Sequence, residues 1–117
     1  MFQIERVKRN EIGYWLHSHI NPAEVEFIEQ LPEAQGMELI FISMEENVST
    51  EEYEKFKKDQ NVSDWIPQIN EEDDNWFLVG IYETEFGPEA CFVKPLDTDK
   101  VFFYEKQIKM DYQINLK

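Results

Sequence analysis

His17 and His19 stand two residues apart and are the only histidines in the chain. On an extended backbone such a pair points to one side, where it could clasp a metal with a carboxylate or supply a general base. The remaining parts of either chemistry are missing: the sequence has no HExxH spacing, and no motif places a nucleophile. Glu83 and Glu85 are of the residue type that glycosidases use in pairs. With 25 carboxylates in 117 residues, however, close pairs are unavoidable, and what defines such a site is geometry. Glu71, Glu72, Asp73 and Asp74 run consecutively, whereas a calcium loop needs oxygen ligands at alternating positions, a glycine and a closing glutamate. The four glycines, Gly13, Gly36, Gly80 and Gly87, are isolated, so no phosphate-binding loop can be drawn, and no nucleophile elbow is present. Cys91, the single cysteine, lies among Ala90, Phe92 and Val93 and reads as a buried, inert thiol. The expectation is no catalytic residue, no metal ligand and no cofactor.

Charge is the strongest remaining signal. Between Glu45 and Asp74 eleven carboxylates (Glu45, Glu46, Glu51, Glu52, Glu54, Asp59, Asp64, Glu71, Glu72, Asp73, Asp74) oppose only Lys55, Lys57 and Lys58. That segment carries −8 of the chain's net −14. A field of this sign repels nucleic-acid backbones and anionic membrane surfaces and steers positively charged partners in. Hydrophobic residues at 42% and aromatics at 15% are too abundant for a disordered acidic tail. The chain should form one domain, 1–117, around one core. Its start, MFQIERVKRN, lacks the apolar stretch of a signal peptide, and its longest apolar run, Trp76 to Tyr82, is far short of a membrane span. Cytoplasmic residence is the expectation.

The elements that would position these residues are legible from local signals. Asn21, Pro22 and Glu24 open a first helix with a cap, a helix-starting proline and a capping-box partner. Val25, Phe27, Ile28 and Leu31 are expected to form its apolar face. Ser49 and Glu52 open a second helix, with Val48 and Tyr53 as the hydrophobic staple; Tyr53 and Phe56 are its thin apolar face. Met37 to Met44 and Trp76 to Tyr82 read as strands covered on both sides. Glu85 to Pro88 is a turn that returns the chain into Ala90 to Val93. Val101 to Tyr104 and the alternating stretch Ile108 to Leu116 read as further strands, as do Phe2 to Ile4 and Ile12 to His19. Consecutive strands at the end of the order predict an α+β fold, a mainly antiparallel sheet of five to six strands with two short helices.

Two helices leave much of such a sheet to be covered by curvature and loops, or exposed as an aromatic patch beside the carboxylates. Small size, a concentrated negative field and no catalytic motif predict an acidic binding protein that neutralises a basic protein partner. The form expected is an immunity protein blocking a bacterial toxin or nuclease domain. The residues expected to carry it are Glu71, Glu72, Asp73 and Asp74, with Glu45, Glu46, Glu51 and Glu54 as the outer field and Trp65 and Trp76 as anchors. A DNA-mimic decoy against a restriction or defence protein, and a small enzyme or metal-binding protein, are the alternatives.

Overall fold

The computed structural model describes residues 1–69, 75–96 and Gln107. Its framework is an antiparallel sheet of four strands: β1 (Trp15–Leu16), β2 (Met37–Ser43), β3 (Phe77–Thr84) and β4 (Gly87–Pro95), in the order β1-β3-β4-β2. Two α-helices, α1 (Met44–Asn47) and α2 (Thr50–Asp59), follow β2, and 3-10 segments at Pro22–Gln30 and Pro32–Ala34 precede it. The architecture is α+β with one antiparallel sheet. The five to six strands expected are not found among the described residues, and the strands expected at Val101 to Tyr104 and Ile108 to Leu116 lie outside them.

β3 and β4 form a hairpin in which Thr84 pairs with Gly87, leaving Glu85 and Phe86 as the loop. Gly87 has φ +105°, a left-handed value that a side chain would strain. Thr84 secures the turn: its Oγ1 donates to Gly87 O at 2.7 Å and receives Phe86 N–H at 3.1 Å. One irregularity sets the sheet's faces. Leu78 pairs with Phe92 and Gly80 with Cys91, so Val79 is an extra residue in β3. An inserted residue reverses the in–out alternation beyond it. Val79 therefore packs in one core cluster and Ile81, two residues on, in the other.

The clusters lie on the sheet's two faces, as the alternation of Cys91 and Val93 against Ala90 and Phe92 requires. Phe2, Ile20, Ile28, Leu31, Ala34 and Met37 cover the first face. Val7, Met44, Phe56, Val62 and Trp65 cover the second. Each fully buried large side chain contributes roughly 1.5–3 kcal/mol. The aromatic residues of β3 and β4 are thereby enclosed, and β3 is buried from Phe77 through Tyr82. β2 departs from expectation: as an edge strand it is only half covered, with Glu38 and Phe41 exposed.

The first helix is a 3-10 segment rather than an α-helix, kinked at Phe27 (φ −122°, ψ 24°). Three residues per turn put Val25, Ile28 and Leu31 on one face. Phe27, expected on that face, is 49% exposed. The Asn21 cap is present, its Oδ1 accepting from Ala23 N–H at 2.9 Å. The second helix follows its signals more closely. Ser49 Oγ accepts from Glu52 N–H at 3.1 Å, and Gln60 closes α2 in the left-handed conformation (φ 56°).

The N-terminal segment is tied down by side chains. Phe2 and Ile4 pack on the first core with the expected alternation, but they pair in no strand. Of Ile12 to His19, only Trp15–Leu16 joins the sheet, because Gly13 (φ +98°) turns the chain just before it. Arg9 clamps this loop to the chain after α2: its guanidinium donates to Gly13 O (2.7 Å), Trp65 O (2.6 Å) and Val62 O (2.5 Å). Gln107 closes β3 beyond the end of β1. Its side-chain oxygen accepts from Leu78 N–H at 2.7 Å, and its Nε2 donates to Leu78 O at 2.6 Å and Glu5 O at 2.9 Å.

Candidate functional site

α1 and α2 present the acidic surface. Glu45 and Glu46 stand in the first turn of α1, Glu51 and Glu52 in the first turn of α2, and all four are exposed. Carboxylates there interact favourably with the helix dipole, which accounts for part of the charge structurally. Glu54 differs from its neighbours: it pairs with Lys57 at 3.0 Å, and its hydrogen bond and charge raise the Lys57 pKa. Both partners are more than half exposed, so solvent screens the pair and it adds little to stability. Asp64 pairs with Lys55 at 3.3 Å. Among the described residues Glu45, Glu46 and Glu51 have no ion pair. Glu71, Glu72, Asp73 and Asp74 lie outside the described residues.

The two tryptophans do not stand on this surface. Trp65 and Trp76 are each 3% exposed and belong to the second core cluster. Trp65 Nε1 donates to Asn47 Oδ1 at 2.9 Å, and the same oxygen receives Gln68 N–H. Trp76 lies under Lys94, whose Nζ is 5.1 Å from the ring centroid. As described, both rings fasten α1 and β4 to the core, and the role of surface anchor does not fit them. Sequence alone could not separate the two uses, because a large aromatic beside carboxylates suits either a core or an interface.

A second acidic locus lies at the hairpin end of the sheet. Here Glu26, Glu83, Glu85, Phe86 and Glu89 line a cleft of about 400 Å³, floored by Tyr82. Its lining contains no lysine or arginine, and among the described residues none of its four glutamates is ion-paired. Phe86, at the apex of the turn, is 83% exposed. Tyr82 O–H donates to Glu89 Oε2 at 2.8 Å, and burial pushes the phenol's pKa far up, with the Cys91 thiol and the Glu89 bond and charge adding to it. This locus adjoins the helices. Ser43, the residue before α1, lines the cleft, and a Cβ added to Gly87 would lie 2.8 Å from Tyr53 Oη on α2. Phe86 did not stand out in the sequence analysis. The signal for it was present all the same, since an aromatic residue in a two-residue loop has no core to enter.

The histidines divide. His17 is 1% exposed; its Nε2 donates to Gln3 O at 2.7 Å, and its Nδ1 accepts from His19 N–H at 3.1 Å. Both ring nitrogens are thus engaged, which fixes the orientation of the ring. His19 is exposed, with its ring centroid 5.3 Å from that of His17. Glu5 stands 3.7 Å from His17 Nε2 and accepts from both the hydroxyl and the N–H of Ser18. Partial burial acts to raise the Glu5 pKa, but the two Ser18 bonds and the neighbouring histidines outweigh it and hold the carboxyl below its usual range. The Ser18 hydroxyl donates to the Glu5 carboxylate. Among the described residues no three His, Cys, Asp or Glu side chains gather to hold a metal ion.

Cys91 is fully buried, and burial, with Glu89 adding to it, raises its thiol pKa far above the usual value. Among the described residues no helix is long and apolar enough to cross a membrane. No protein-family model, curated protein or solved structure matches the chain.

Proposed function

We propose that this chain is an acidic binding protein that neutralises a basic protein partner, acting as an immunity protein does on a bacterial toxin or nuclease domain. The observation that carries the reading is the presence of carboxylates without ion pairs, among the described residues, on α1 and α2 and around the hairpin cleft. These are Glu45, Glu46 and Glu51 on α1 and α2 and the four glutamates of the hairpin cleft. Such a surface accelerates encounter with a positively charged protein and gives the association a strong salt dependence. By occupying or overhanging a groove that normally receives a nucleic-acid backbone, it would block the partner's activity. Glu71, Glu72, Asp73 and Asp74 extend the same field in sequence.

The test is capture of partners on the tagged, intact chain from the cells that produce it, at low and high salt, read by mass spectrometry. The expected result is one stoichiometric basic protein that salt weakens and that the triple variant Glu45→Gln, Glu46→Gln, Glu51→Gln retains poorly because its association slows. A chain that holds no basic protein at either salt would overturn the reading.

A further inference from the structure

The hairpin cleft differs from the helical surface in having an aromatic ring set among its carboxylates. Phe86 is held out of the core by the turn itself. A loop of two residues, fixed by the Thr84 bonds and the left-handed Gly87, gives the side chain no route back to either face of the sheet. Its ring is therefore presented in one place at low entropic cost to a partner. Glu89 is likewise oriented, because the buried Tyr82 hydroxyl occupies its Oε2 and leaves the other oxygen available. Among the described residues the carboxylates do not converge tightly enough for a metal ion; the cleft that their residues line measures about 400 Å³, which admits a large side chain. A delocalised planar cation suits all of these features together. A guanidinium stacks on an aromatic face and pairs with carboxylates through its edge, which an ammonium does less well.

We propose that the cleft beside the β3–β4 turn is the docking site for an arginine of the basic partner, with Phe86 stacking on the guanidinium and Glu85 and Glu89 neutralising it. This rests on the binding-protein reading above and assigns its specificity to the hairpin end, leaving α1 and α2 to steer the approach.

The experiment is titration of the intact 15N-labelled chain with acetyl-tetra-arginine amide and, separately, acetyl-tetra-lysine amide at low salt, followed by amide chemical shifts. The expected shifts concentrate between Glu83 and Glu89 and around Glu26. The arginine peptide binds roughly two- to fivefold more tightly than the lysine peptide. Phe86→Ala, at an exposed position, removes that difference and leaves the melting temperature unchanged. Shifts centred on α1 and α2, or equal affinity for the two peptides with no effect of Phe86→Ala, would overturn the cleft assignment while the acidic binding reading stands. No binding of either peptide would overturn the cleft, and loss of the captured basic partner would separately overturn the wider reading.

Discussion

The primary amide of Gln107 supplies Leu78 with the donor and acceptor that a neighbouring strand would otherwise offer, and it holds the Glu5 carbonyl as well. A side chain of the same length without polar atoms would leave those backbone groups unpaired in a dry site, at about 1–3 kcal/mol for each buried group left unsatisfied. Gln107→Leu is accordingly expected to lower unfolding free energy by about 2–4 kcal/mol, measured by urea denaturation; a loss under about 0.5 kcal/mol, the scale of an ordinary surface change, would deny the amide its role. Glu5 gives a pH dependence with a definite sign. Its folded pKa lies below the ordinary value, through the Ser18 bonds and the nearby His17 and His19. The stabilisation is therefore complete above the unfolded carboxyl pKa of about 4.3 and is lost as pH falls through the lower folded value. Melting curves between neutral and strongly acid pH should show wild type above Glu5→Gln at neutrality and the gap closing in acid. A gap that widened on acidification would contradict the assignment.

At the scale of elements, the junction between the N-terminal loop and the chain after α2 is the most constrained. Gly13 has φ +98°, and a Cβ there would stand 2.4 Å from Ser63 N. Gly13→Ala must move backbone against backbone and disturb the Arg9 clamp, which uses the Gly13 carbonyl. Its cost is expected to exceed 2 kcal/mol, on the order of the larger single-site effects, and to be greater than that of Ser49→Ala, which removes one cap worth about 1 kcal/mol. Side-by-side urea midpoints decide the ranking. The same elements show what the sequence could and could not reveal. The Ser49 cap, the start of α2 and the hairpin were legible because their signals are local. Pro22–Gln30 was legible as helical but not as 3-10, since Val25, Ile28 and Leu31 satisfy both periods and only Phe27 separates them. The burial of His17 depends on the Gln3 carbonyl fourteen residues away, and nothing at positions 17 to 19 announces it. Trp65 and Trp76 were visible as large aromatics near charge, but which side of the chain they face is decided by the sheet.

At the scale of the molecule, its two cores have different coverings: 3-10 turns and the N-terminal segment on one face, α1, α2 and the turn after them on the other. Both coverings reach the hairpin end, which is why Glu26 from one and Ser43, the residue before α1, line a single cleft. The charge imbalance was readable from composition alone, whereas the gathering of Glu26 with Glu83, Glu85 and Glu89 needed the fold. A net −14 on 117 residues also opposes compaction through self-repulsion, so the polar ties at half-buried Arg9 and buried Gln107 work against a standing electrostatic stress.

The Gln107 amide has a consequence in time. Its partners are Leu78, 29 residues earlier, and Glu5, 102 residues earlier. During synthesis at about 5–20 residues per second, the β3 backbone at Leu78 leaves the polymerising centre on the order of seconds before its cap exists. In that interval Leu78 lacks the donor and acceptor that pair its backbone in the finished fold, although β1 can already pair with Gly80 and Ile81.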